Sequence, residues 1–293
     1  MDENEWILER FEEQRSHLRA VAYRMLGSLS EADDALQETW IRLNRTDVGD
    51  VENLAGWLTT VMARVCLNLL RARETHREEP LGVHVPDPVI AREGGPTPEQ
   101  EAVLADSVGL ALLVVLEMLA PAERLAFVLH DMFAMPFEEV ALIVGRTPAA
   151  TRQLASRARR RVQGANAPDT DISRQREVVN AFFAAARQGD FDALVAVLDP
   201  DVVLRSDGGT VRPQATVELR GAATVAGQAL MFSSLSPHVR PALVNGAAGV
   251  VVAPAGRAVS VMGFTVRHGR IVEIDAVADP VRLALLDLTV LDA

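Results

Sequence analysis

Five arginines stand between Thr151 and Val162, in the stretch TRQLASRARRRV, with no acidic residue among them. The chain around them is anionic: 29 basic residues, all arginine, against 40 acidic ones give a formal net charge of −11. Such totals argue against generic coating of nucleic acid and leave room for a local basic patch. The residues upstream sharpen the reading. Val140, Ala141 and Val144 predict a short helix ended by Gly145. Thr147 predicts an N-cap, with Pro148 at the first helical position, where its missing N–H costs nothing. Thr151, Leu154, Ala155, Ala158 and Val162 then share an inner face, which leaves Ala149, Arg152, Gln153, Ser156, Arg157 and Arg160 outside. A short helix, a glycine turn and a second helix predict a helix-turn-helix. In a major groove, arginine can chelate guanine, glutamine can pair with adenine, and further arginines can hold phosphates. A solvated arginine face would explain the charge alone. The capped turn, the basic outer face and the missing acids together favour DNA.

A second candidate face lies upstream. Thr60, Arg64, Asn68 and Arg71 follow at spacings of four, four and three, on one side of a helix opposite Trp57, Val61, Val65 and Leu69. Hydroxyl, amide and guanidinium groups suit base edges and phosphates. Acid–base chemistry is weakly signalled. Its candidates are Asp201, Asp207, His238, His268 and Asp275. Asp201 follows Pro200 and Asp207 precedes two glycines, so both read as turn residues. His268 precedes Gly269 in an apparent hairpin turn, and Asp275 alternates with Glu273 on a strand face expected to meet solvent. No catalytic residue, metal or cofactor is expected.

These faces need elements to carry them. Leu18, Val21, Ala22, Met25 and Leu26 predict a first helix. Ser30 reads as the N-cap of a second, lined by Ala32, Ala35, Leu36, Thr39 and Leu43. Leu54, Trp57, Leu58, Val61, Met62, Val65 and Leu69 line a third. Cys66, the one cysteine, reads as a buried inert thiol and fits a reducing cytoplasm. Pro80, Pro86, Pro88, Pro96 and Pro98, with recurrent acids, predict an unstructured linker between two domains. Residues 164 to 173 predict a second linker. Beyond it come two short helices split by Gly189 and Asp190, a helix near 221–232, and strands at 202–204, 250–253, 259–266 and 271–278. That order predicts an α+β domain with a mostly antiparallel sheet. No apolar run approaches the roughly 18 residues of a membrane span, and MDENEW has no signal-peptide character.

Two blocks resemble the extracytoplasmic-function branch of the sigma-70 family of bacterial RNA polymerase initiation factors. The first carries LRAVAYRMLGSLSEADDALQETWIRL and NLAGWLTTVMARVCLNLLR; the second carries LAPAERLAFVLHDMFAMPFEEVALIVGRTPAATRQLASRAR. The resemblance implies a multi-domain protein: a polymerase- and minus-ten-binding domain at 1–75, an acidic Pro-rich linker at 76–105 and a helix-turn-helix domain for the duplex minus-thirty-five element at 106–164. It implies that Asp33, Asp34, Gln37 and Glu38 meet the clamp helices of core RNA polymerase. It assigns Thr60, Arg64, Asn68 and Arg71 to the minus-ten strand, and the loop holding Asp50 and Asn53 to a flipped base. Thr147 joins the outward residues of the last helix in contacting promoter DNA. Arg64 and Asn68 stand where many relatives have Asn and Asp, so no promoter sequence is inferred.

Residues 174–293 resemble a SnoaL-like domain of the nuclear-transport-factor-two-like superfamily, through VVNAFFAAARQGDFDALVAVLDPDVVLRSDGG and VRHGRIVEIDAVADPVRLALL. The resemblance implies a cone-shaped α+β domain that regulates in cis, with Asp207, Gly208 and Gly209 as a loop contacting the sigma domains. The function expected is promoter recognition and transcription initiation, without enzymatic activity or a membrane. Two competing readings are a polymerase-independent regulator with a ligand-binding C-terminal domain and an enzyme fused to a DNA-binding segment. A polymerase pull-down separates the first, and pocket-dependent turnover the second.

Overall fold

The computed structural model describes residues 3–46, 51–76, 83–92, 109–163, 169–288 and 291. The chain divides into two compact units, one of residues 1–80 and 115–164, the other of residues 81–114 and 165–293.

In the first unit, α1 (Glu3–Leu26), α2 (Leu29–Leu43) and α3 (Leu54–His76) pack together. The core of the three helices includes Leu18, Met25, Leu43, Leu58 and Met62, all fully buried. The inner face of α2 is Ala32, Ala35, Leu36, Thr39 and Leu43, the set its periodicity predicts. Its cap differs from expectation. Ser28, not Ser30, takes the extended N-cap conformation, and its side chain accepts from the Glu31 N–H. Gly27 adopts a left-handed φ of 71°, which ends α1 and turns the chain two residues earlier than the acidic cluster suggested. Cys66 is fully buried, and burial pushes its thiol up to about 12.

The same unit continues from α4 (Leu110–Glu117), which straddles the division, to α5 (Pro121–Phe127), a π-helical turn at Val128–Met132, α6 (Phe137–Val144) and α7 (Pro148–Gln163). Gly145, with φ 74°, closes α6.

The second unit is α+β, as expected. Helices α8 (Ile172–Gln188) and α9 (Phe191–Val197) precede six of the seven strands that form one sheet among the described residues. Asp190 caps α9 by accepting from the Ala193 N–H. The strands are β1 (Ile90–Ala91), β2 (Leu198–Asp207), β3 (Val217–Arg220), β4 (Val239–Val244), β5 (Ala247–Val252), β6 (Ser260–Arg267) and β7 (Arg270–Val277). Their spatial order is β1-β4-β5-β6-β7-β2-β3, antiparallel except for the β2–β7 pair. Helix α10 (Ala222–Met231) joins α8 and α9 against one face. Its core holds Phe182, Leu194, Val202, Val250, Phe264 and Ile274. Two arms of α8 stitch it to the sheet. Arg176 donates to the carbonyls of Gly249 at 2.8 Å and Ala242 at 2.7 Å, and Gln175 accepts from the Ala248 N–H at 2.9 Å. Short α11 (Pro280–Leu283) follows β7 and is capped by Asp279.

The bare linker expected at 76–105 departs from expectation where it is described. Over residues 83–92 it belongs to the second unit, and β1 extends the sheet by pairing Ile90 with Val244 and Ala91 with Leu243. Its prolines break helix but do not bar the edge of a sheet, and Val85, Pro86, Asp87 and Pro88 are buried.

Candidate nucleic-acid interface

The turn before α7 is built as its sequence dictates. The Thr147 hydroxyl accepts from the Ala150 N–H at 3.2 Å, and the Thr151 hydroxyl donates to the Thr147 carbonyl at 3.0 Å. Thr151, Ala155 and Ala158 are buried. Ala149, Arg152, Gln153, Ser156, Arg157 and Arg160 are all exposed, as is Thr147. The arginines are not equivalent. Arg152 donates to Glu138 at 2.8 Å and lies over the Phe137 ring, 5.5 Å from its centroid. Arg157 and Arg161 flank the nearly buried Glu123 at 3.4 and 2.6 Å. Arg159 pairs with Asp131 at 2.5 Å. The run therefore has two jobs. Arg159 and Arg161 tie α7 to the preceding helices, whereas Arg160 has no described carboxylate within ion-pair distance. Sequence distance hides these pairs, because Glu123 and Asp131 lie 38 and 28 residues from their partners.

On α3, Arg64, Asn68 and Arg71 are exposed and Thr60 is half-buried, so the four expected residues share an accessible face. Leu69 lies about 140° round the helix from Arg64, on the side opposite the polar residues as expected, yet it is 39% exposed there. Leu67 and Leu70 are buried. The Asn53 side chain accepts from the Gly56 N–H at 3.0 Å, so it caps α3. Asp50 lies outside the described residues.

On α2, Asp33, Asp34 and Gln37 are exposed and Glu38 is half-buried. Two of the acids already carry arginines. Arg19 makes a two-pronged contact with Asp33 at 2.6 and 3.0 Å, and Arg42 donates to Glu38 at 2.8 Å. Asp34 and Gln37 remain to present unneutralised polar groups.

Asp207, expected in a turn, is the last residue of β2. It is buried at the end of β2 and grips residues 84–85 of the inter-domain segment. Its Oδ2 accepts from the Val85 N–H at 3.1 Å, lies 3.0 Å from the His84 Nδ1 and is 2.7 Å from an Arg282 nitrogen. The same guanidinium donates to Asp87 at 2.7 Å and to the Val85 carbonyl at 2.5 Å. Burial opposes ionisation of Asp207. The hydrogen bonds from His84, Val85 and Gly209 and the charge of Arg282 outweigh it and lower its pKa to about 2. The adjacent glycines are sterically required. A methyl at Gly208 would overlap the Arg212 carbonyl, and Gly209, with φ 61°, lies against the Asp279 carboxylate. All described partners of Asp207 belong to the second unit. Asp87 and Arg282 were not foreseen, and only their three-dimensional neighbours identify them.

The other acid–base candidates do not gather around Asp207. Asp201 is exposed, and His268 occupies the β6–β7 turn with φ 53°. Asp275 and Glu273, expected in solvent, are buried. Arg205 meets Asp275 at 3.1 Å and Glu273 at 3.9 Å. Burial raises the Asp275 pKa, Arg205 opposes that shift, and Glu218 adds to it. This sheet face also receives Leu110, which packs against Gly263 opposite Asp275.

Models of sigma-70 region 2 and sigma-70 region 4 match residues 11–75 and 109–162. The ECF RNA polymerase sigma factor SigJ of Mycobacterium tuberculosis is 38% identical over 285 residues, covering 92% of this chain and 91% of that protein. The probable ECF RNA polymerase sigma factor SigI of the same species is 34% identical over 268 residues, covering 91% of each. The crystal structure of SigJ superposes with a TM-score of 0.77 at 36% identity, over 94% of this chain and 97% of the other. Two helical blocks, each with an exposed polar face, thus coincide with sigma-70 regions 2 and 4 and with relatives matched over about nine-tenths of their length: the chain belongs to the extracytoplasmic-function branch of the sigma-70 family of RNA polymerase initiation factors.

Proposed function

We propose that this sigma factor reads duplex minus-thirty-five DNA with the outer face of α7 and the opened minus-ten strand with Thr60, Arg64, Asn68 and Arg71 of α3. The α2 face carrying Asp33, Asp34, Gln37 and Glu38 meets core RNA polymerase. Residues 1–75, 106–164 and 174–293 are the working domains, and the stretch 76–105 joins the first two. The single observation that carries the duplex assignment is the clean separation on α7: a buried Thr151, Ala155 and Ala158 against an exposed Arg152, Gln153, Ser156, Arg157 and Arg160. Exposed ion pairs such as Arg152–Glu138 are worth about 0–1 kcal/mol, so a guanine edge or a phosphate can displace the carboxylate.

The C-terminal domain acts in cis through residues 83–92, gripped by Asp207 and Arg282, and performs no bond chemistry of its own. A regulator that worked without polymerase would have no use for the α1–α3 block, so the polymerase-bound reading is preferred.

The test is run-off transcription with core polymerase. Replacing Arg152 and Arg157 by alanine should reduce promoter use at least about fivefold, since one good base contact is worth ~1–3 kcal/mol. Unchanged promoter use in the double variant refutes the readout. Asp87→Asn and Arg282→Gln should shift output in the same direction, because both release one segment; opposite shifts refute the cis mechanism.

A further inference from the structure

The second unit contains a cavity of about 270 Å³, on the sheet face opposite Asp207 and Asp275. Strand alternation separates the two faces: Ser206 and Ala276 line the cavity, while their neighbours Asp207 and Asp275 point away. Protein interiors hold few voids larger than a water molecule, and small-molecule pockets start near about 300 Å³. At about 270 Å³ the space lies just under that range and far above the room one water needs.

Its chemistry is specific. Phe182 and Phe183 of α8 form one wall, and Phe232, after α10, is half-exposed at the cavity. Three ring faces and edges favour a flat apolar body. Among the described residues, Arg212 is the only charged one to line the cavity, half-buried and accompanied by the amides of Gln214 and Gln228. No described carboxylate lies within ion-pair distance of its guanidinium, and no described Asp, Glu or His lines the space. A guanidinium beside amide donors selects an anion, and the lack of an acid or base leaves nothing to transfer a proton.

We propose that this cavity binds a small ring-bearing organic carboxylate, with its ring against the three phenylalanines and its charge on Arg212. The site binds without turnover. It is independent of promoter and polymerase contacts, so it is tested without either.

The probes are naphthalene-2-carboxylate and its neutral analogue naphthalene-2-methanol, titrated calorimetrically into the full chain at neutral pH. The carboxylate should bind saturably with a stoichiometry of one. Arg212→Gln should weaken it about tenfold or more while changing the alcohol less than about twofold, as expected for loss of one charge-assisted contact. Ala229→Trp on α10 and Ser206→Phe on β2 fill the space from separate elements, and each should abolish binding of both probes. Circular dichroism identifies a filler that does not fold, in which case the Arg212→Gln comparison decides alone. Absence of saturable carboxylate binding, equal weakening of both probes by Arg212→Gln, or undiminished binding in a folded filler variant each overturns the proposal.

Discussion

Asp207→Asn isolates the charge of the clamp from its shape. Asparagine keeps a carbonyl oxygen for the Val85 N–H but cannot neutralise Arg282. The native carboxylate is lowered from 3.8 to about 2, a shift equivalent to roughly 2–2.5 kcal/mol at 1.36 kcal/mol per unit. Because the folded value lies below the unfolded one, this contribution is complete above about pH 4 and is lost as pH falls towards 2. At pH 7 the variant should lose ~2 kcal/mol locally, which opens residues 83–92 about 30-fold more often. Hydrogen exchange at the Val85 amide reads that opening directly, since its hydrogen bond ends on Asp207. Exchange at α8, inside the same unit, serves as the control for global unfolding. Unchanged Val85 exchange at pH 7, or a variant effect as large near pH 2 as at neutrality, would refute the charge-based account.

Three further outcomes follow from the same geometry. Gly208→Ala should cost about 1–3 kcal/mol in urea unfolding of the full chain, because the new methyl meets backbone at Arg212; a neutral effect would show the loop can yield. Arg205→Met should cost about 3–5 kcal/mol at pH 7 by leaving Asp275 buried without its cation. The raised Asp275 pKa makes that loss grow with rising pH and shrink as the carboxyl takes a proton, so a deficit that does not change with pH would contradict it. Glu138→Gln should free Arg152 and raise affinity for promoter duplex up to about fivefold in a salt titration, while lower affinity would show that the pair preorganises the arginine.

The helical blocks were legible because their signals are local. Thr147 and Pro148 mark the start of α7, and its alternating alanines and arginines fix both faces within four turns. Apolar periodicity likewise marked the inner face of α2. The C-terminal sheet was only half visible. Asn245 and Gly246, both with positive φ, make the tight β4–β5 hairpin turn, and an Asn-Gly pair is a strong turn signal that the run of apolar residues around it obscured. Asp275 and Glu273 show why alternation is not exposure: period two separates two faces but does not say which long-range segment covers the second. Leu110 supplies part of that cover from more than 150 residues away. The clamp was hidden for the same reason, since Arg282 and Asp87 are 195 residues apart.

The sole cysteine gives the three-helix block a built-in clock. Cys66 sits in the helix whose other side carries Arg64 and Asn68, and its sulfur has no route to solvent while that bundle is closed. A thiol held at about 12 forms almost no thiolate at neutrality. Alkylating reagents therefore count only the moments when α3 swings away from its neighbours. If promoter strands bind the closed bundle, DNA will slow the labelling; if they hold α3 away from its neighbours, DNA will quicken it.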